Sequence, residues 1–240
     1  MENLCKTIEW LLNSSIPDIT NKELLTKKIG ECGLFCDNRS SPEDSSKSIY
    51  GDDIIYKIHV NSNDRKVIED AGGLWQTPIQ LAEYLLFFKD KEIETFLELG
   101  TCTGYTSVII CTYLLRFNLK RYDTYDIFPI CKLNDIFIKY KLPINYKVGS
   151  PDFIINDVDK YYDLVFIDSD HSYNGIKSDF NNFGKNCKFV SFHDINDYFC
   201  TGVVEFWKEL KTTYQNNIFH EFTMHPNNFK LMGFGIMINK

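Results

Sequence analysis

The sequence predicts an α/β protein built on a mostly parallel sheet that closes in an antiparallel hairpin. Three observations carry that prediction. From residue 94 onward, short apolar runs of strand length alternate with longer runs of helical spacing, which is how strands joined by crossover helices read. One strand run, residues 95–99, leads into a turn holding Gly100 and Gly104 and then into a long apolar helix pattern. The tail has two strand candidates, 218–224 and 233–238, separated by His225-Pro226-Asn227-Asn228 with no helix between them.

The elements follow in chain order. Residues 1–12 place Glu2, Lys6 and Glu9 among short apolar runs, so they lack the unbroken apolar stretch of a secretory leader. Thr20 and Glu23 have capping-box spacing ahead of Leu24, Leu25 and Ile29, which predicts a helix over about 21–30. Residues 37–53 are rich in Ser, Asp, Asn and Lys and read as a polar surface loop or linker. Residues 1–61 are therefore expected to form a helical appendage with a polar linker, and 62–240 the main domain. Covering an active site and self-association into a homo-oligomer are both open to the appendage.

Gly72-Gly73-Leu74-Trp75-Gln76-Thr77-Pro78 comes next, with Thr77 placed as N-cap and Pro78 at the first position of a helix through residue 88. Trp75 reads as a packed anchor or as a lid. Strands are then expected at 95–99, 121–126, 145–148, 162–167 and 188–192. Helices are expected at 105–117, 129–140, 151–158, 173–183 and 203–214.

Composition narrows the function. The 240 residues are 44% hydrophobic and 25% charged, and this allows one sizeable core. A net charge of −7 argues against a nucleic-acid surface, which needs clustered Lys and Arg. The apolar run 108–115 is broken by Thr112, closed by Arg116 and well short of the roughly 20 residues that span a bilayer. Eight scattered cysteines read as buried free thiols of a reducing, cytoplasmic compartment, and Cys32 and Cys36 lack the partner pair of a zinc site.

In a doubly wound sheet, ligands lie at the carboxyl ends of the strands. Gly100 and Gly104 suit close approach of backbone to a ligand, but Cys102 and Tyr105 replace two glycines of the dinucleotide fingerprint. Asp126 ends the second expected strand, where a carboxylate can accept from two ribose hydroxyls. Asp123 competes for that role from within the strand. Polar clusters end the next strands: Asp168-Ser169-Asp170-His171 after one, His193-Asp194 with Asp197 after its neighbour.

The run Glu98-Leu99-Gly100, followed by Gly104-Tyr105-Thr106-Ser107, resembles the first motif of S-adenosylmethionine-dependent methyltransferases, above all small-molecule O-methyltransferases. Ile167-Asp168-x-Asp170-His171-Ser172-Tyr173 with Phe192-His193-Asp194-Ile195 resembles their metal-dependent members, including sugar O-methyltransferases, and also the cephalosporin-hydroxylase-like proteins. The resemblance runs from about residue 72 to the C-terminus. It implies a Rossmann-like class I fold that binds S-adenosyl-L-methionine through Glu98, Gly100, Thr101, Gly104, Tyr105, Asp126, Ile127, Ser150 and Asp168.

It further implies a divalent metal, magnesium or manganese, on Asp168, His193 and Asp194, and His171 as general base. The acceptor would be a hydroxyl of a small molecule or sugar. His193 departs from the family's oxygen ligands, and Asp170 or Asp197 would replace it if it only packs. An oxygenase on the same fold and a non-catalytic cofactor-binding module are the alternatives.

Overall fold

A computed structural model of the chain describes residues 1–32, 34–37, 57–60, 73–149, 161–225 and 230–240, with 34–37 and 57–60 described by backbone alone. The expected linker at 37–53 and the expected helix at 151–158 lie outside the described residues, apart from the backbone of Asp37.

Among the described residues, the N-terminal part holds three helices, α1 (Glu2–Asn13), α2 (Ile16–Ile19) and α3 (Lys22–Glu31). Helix α1 is an element the sequence reading did not assign; it buries Leu4, Thr7, Ile8 and Leu11, spaced three and four apart on one face. The Arg116 guanidinium donates to the carbonyls of Leu11 and Ser14, so a side chain from the main sheet unit satisfies the end of α1. Helix α3 starts one residue later than the capping box predicts. Asn21 is the cap, its side chain accepting from Leu24 N at 2.9 Å, because the Thr20 hydroxyl is taken up by the carbonyl of Ile16. Strands β1 (Leu34–Asp37) and β2 (Lys57–Val60) form a small parallel pair.

Helix α4 (Pro78–Phe88) opens on Pro78 as expected. The Thr77 side chain makes no cap bond; its hydroxyl points to Met232 Sδ at 3.4 Å instead. The main sheet then assembles from β3 (Thr95–Leu99), β4 (Arg121–Asp126), β5 (Ile144–Val148), β6 (Leu164–Ile167), β7 (Phe189–Phe192), β8 (Ile218–Phe222) and β9 (Phe234–Ile238). Its strand order is β5-β4-β3-β6-β7-β9-β8, parallel except for β9, which runs antiparallel to both β7 and β8. Crossovers are helices α5 (Tyr105–Leu115), α6 (Asn134–Lys139), α7 (Tyr173–Asp179) and α8 (Thr201–Thr213). Helix α6 is shorter than the expected 129–140, and α7 continues through a wider π-helical turn, Phe180–Gly184.

Side-chain alternation splits the core into two layers. Phe96, Tyr122, Phe166, Phe189 and Phe234 pack under α4, α5 and the N-terminal helices, so α1 and α3 share this apolar layer with the sheet. Trp75 packs against the same layer. Leu97, Leu99, Val165, Ile167, Val190 and Phe192 face α7 and α8. Strand order reverses between β3 and β6, and this places the β3 turn and the residues after β6 beside one another at the carboxyl edge.

Candidate active site

The glycine turn is pinned from behind by β4. Gly100 N and Thr101 N both donate to the Tyr125 carbonyl, and the Thr101 hydroxyl meets that of Thr124 at 2.6 Å. Gly100 and Gly104 have φ of +99° and +87°, and Cys102 joins them at +48°, a conformation that costs a non-glycine residue about 1–2 kcal/mol. A Cβ on Gly100 would stand 1.9 Å from the Asp168 carbonyl oxygen. One close approach that requires glycine here is therefore to the backbone after β6. Tyr105 and Thr101 are buried.

Glu98 lies beneath the turn with no exposed surface, accepting from the hydroxyls of Ser107 and Thr124. Burial pushes its carboxyl up to about 7, against the two hydroxyl bonds that favour the charged form. It holds the turn from below and presents nothing to the open edge.

Asp126 and Asp123 are separated by the sheet itself. Asp123 is buried and engaged by Asn145, Tyr162 and Arg121. Asp126 ends β4 on the side of the glycine turn, accepting from Cys102 N at 2.7 Å and Phe128 N at 2.9 Å. A carboxylate has about four acceptor positions, so Asp126 keeps capacity for two hydroxyls. Ile127 beside it exposes 55% of its surface. Ser150 lies outside the described residues.

The ends of β6 and β7 bring the titratable residues together. His193 Nδ1 stands 3.3 Å from Asp168 Oδ1 and 3.1 Å from Asp194 Oδ1. His171 Nε2 stands 3.2 Å from Asp194 Oδ2 and 3.6 Å from Asp168 Oδ1. Asp194 has φ of +60°, strained backbone at the centre of the cluster. His193 is buried against Phe234, with ring centroids 4.9 Å apart, whereas the His171 side chain is half-exposed. Asp170 accepts from Ser172 N, and Asp197 accepts from Phe199 N and Met232 N.

Burial works against charge on all four groups, but their mutual attraction outweighs it. The Asp194 and Asp168 carboxylates push His193 up to about 10. His171 is raised further by its bonds to the same pair, and both aspartates are held below the usual carboxylate range by the imidazoles.

Two residues of this cluster were missed in the sequence. Gln76 is buried and donates from Nε2 to Asp168 Oδ2 at 3.3 Å, while its Oε1 meets no donor. Cys200 donates from Sγ to Asp194 Oδ2 at 3.4 Å, and burial pushes its thiol up to about 11. The unusual glycine pair before Gln76 was the one available signal; Cys200 gave none.

The donor set fits a divalent ion. Ligand atoms about 2.1 Å from an octahedral ion stand about 3.0 Å apart at right angles, close to the distances that His193 Nδ1 makes with both aspartates. The Asp168, His193 and Asp194 ligand atoms all lie within 4.8 Å of one another.

Residues 97–195, from β3 through the β7 end, match a family model described as a methyltransferase domain. Over that stretch the chain is similar to methyltransferase domains. Its fold is shared with solved methyltransferase structures. An O-methyltransferase from Bacillus cereus, in complex with SAH, superposes with a TM-score of 0.54 at 16% identity, covering 68% of this chain and 82% of that one. The O-methyltransferase TomG from Streptomyces achromogenes, involved in tomaymycin synthesis and solved with SAM, gives 0.54 at 16% over 69% and 81%. The SAH-bound Podospora anserina methyltransferase PaMTH1 gives 0.51 at 14% over 75% and 83%. No curated protein matches by sequence.

Among the described residues no helix is long and apolar enough to cross a membrane. The cysteines described with side chains are all free thiols, most of them buried. Cys36 is described by backbone alone, so the Cys32–Cys36 pair lies outside what the structure describes.

Proposed function

We propose that the chain methylates a hydroxyl oxygen of a small molecule or sugar, with a divalent ion, magnesium or manganese, held by Asp168, His193 and Asp194, and His171 as general base. The observation that supports this reading is the convergence of two aspartates and two imidazoles beside the glycine turn, with Asp168 carbonyl oxygen against Gly100. Residues 62–240 form the cofactor-binding unit in this reading, and 1–61 its N-terminal addition. The net charge of −7 supports a small acceptor over a nucleic acid.

S-adenosylmethionine supplies a methyl group activated on sulfonium. Its ribose hydroxyls would be accepted by Asp126, with Ile127 offering apolar surface alongside. A bound divalent cation would supply Lewis acidity to the acceptor oxygen and compete with both imidazoles for the charge of the aspartates. His171, half-exposed at the cluster's open side, can reach an incoming hydroxyl and take its proton at Nε2 once that nitrogen is unprotonated. His193 and Gln76 orient Asp168 from opposite oxygens, which fixes the carboxylate before an acceptor arrives.

Transfer from methyl-labelled S-adenosylmethionine to a panel of catechols and sugars tests this. Label should enter the acceptor oxygen, stop on chelation and return with magnesium or manganese. Full transfer in chelator would remove the metal from the reading.

A further inference from the structure

Asp194 turns one oxygen to each of two clusters. Oδ1 faces His193, whereas Oδ2 lies 3.2 Å from His171 Nε2 and 3.4 Å from Cys200 Sγ. His171, Asp194 and Cys200 each offer a ligand atom, and these atoms lie within 4.8 Å of one another. We propose that these three residues form a second metal site, sharing Asp194 with the first and selective for a soft or borderline cation such as zinc.

The two spacings about Asp194 Oδ2 are those of a tetrahedral ion. With bonds of about 2.0 Å to nitrogen and oxygen and about 2.3 Å to sulfur, neighbouring ligands stand about 3.3 Å (N to O) and about 3.5 Å (S to O) apart. The protein's own distances, 3.2 and 3.4 Å, match both without rearrangement. The sulfur separates this site from the first, whose oxygen-rich set suits harder ions.

Cys200 is the N-cap of the 13-residue helix α8, and its side chain makes no cap bond. The helix N-terminus favours negative charge on that sulfur. On coordination Cys200 Sγ and His171 Nε2 each give a proton to water and an electron pair to the ion, His171 binding as neutral imidazole. The exposed side of His171 leaves a fourth position to solvent, which also gives the ion a way in. An ion here occupies the nitrogen that would take the acceptor's proton, so zinc would act as an inhibitor. That consequence rests on the base assignment above; occupancy of the site does not.

Cobalt(II) is the probe, since tetrahedral cobalt bound to thiolate has a near-ultraviolet charge-transfer band and intense visible bands. Eight cysteines make variants necessary. Titration of the full chain should produce both bands, Asp168→Asn should retain them, and Cys200→Ser and His171→Gln should lose the charge-transfer band and the tetrahedral visible bands respectively. Cys200→Ala, checked for native circular dichroism, covers the case in which the serine variant fails to fold. No band in the wild type at saturating cobalt, or a band that survives both Cys200 variants, overturns the proposal. An Asp168→Asn protein with full methyl transfer and an intact cobalt band would overturn the first metal site and leave this one standing.

Discussion

Replacing Glu98 by Gln should change how stability depends on pH, and the size of the change follows from burial. The carboxyl has no exposed surface and its pKa is raised from 4.5 to about 7. The folded state therefore holds this proton more tightly than the unfolded chain. Its contribution to stability is fully present below about pH 4.5 and is lost as pH rises through about 7. At about 1.4 kcal/mol per pKa unit, the loss is about 3 kcal/mol. In Glu98→Gln the amide oxygen can still accept from Ser107 and Thr124, and nothing titrates. For a domain of this size 1 kcal/mol is about 2–4 °C in Tm, so the variant should gain roughly 6–12 °C on the wild type between about pH 5 and pH 8.5. Thermal melts by circular dichroism across that range read the difference, in which all other titrating groups cancel. Parallel Tm profiles would refute the reasoning, because they would mean that Glu98 ionises in place at no cost.

Three further outcomes are expected. Asp126→Ala should weaken S-adenosylhomocysteine by about 1.5–3 kcal/mol, the cost of losing a charged acceptor, as measured by calorimetry; unchanged affinity would take the ribose role from this residue. Gly100→Ala should destabilise the fold by about 3 kcal/mol or more in a urea titration, since its Cβ would meet the Asp168 carbonyl at 1.9 Å at a φ of +99°. His171→Ala should lose about 10²–10⁴-fold in turnover with cofactor binding intact, whereas Asp168→Ala should lose metal and turnover together; equal metal loss in both would make His171 a ligand of the first site.

Much of the sheet was legible because its signals are local. The bounds of β3 and β4 agree with the apolar runs residue for residue, since each is closed by a group that cannot continue a buried strand, Gly100 in one case and Asp126 in the other. The hairpin followed from the missing helix before β9. Features that depend on a distant partner were not legible. Thr77 looks like a cap until Met232, far along the chain, is brought to its hydroxyl. That Gly100 also packs against the backbone after β6 shows only once β6 is laid beside it. The His and Asp residues of the cluster could be found because strand ends gather in this topology, but Gln76 enters from before α4, and Cys200 from the loop after β7, where no pattern marks it. Helix α1 was passed over because its short apolar runs were weighed as a possible leader and not for their spacing.

Anomalous diffraction from crystals grown with manganese and S-adenosylhomocysteine tests the central claim most directly. The account predicts a manganese peak between Asp168, His193 and Asp194, with the homocysteine sulfur next to it and the ribose on Asp126. Cofactor bound with no peak at those three residues, or a peak that leaves Asp168 uncoordinated, would contradict it.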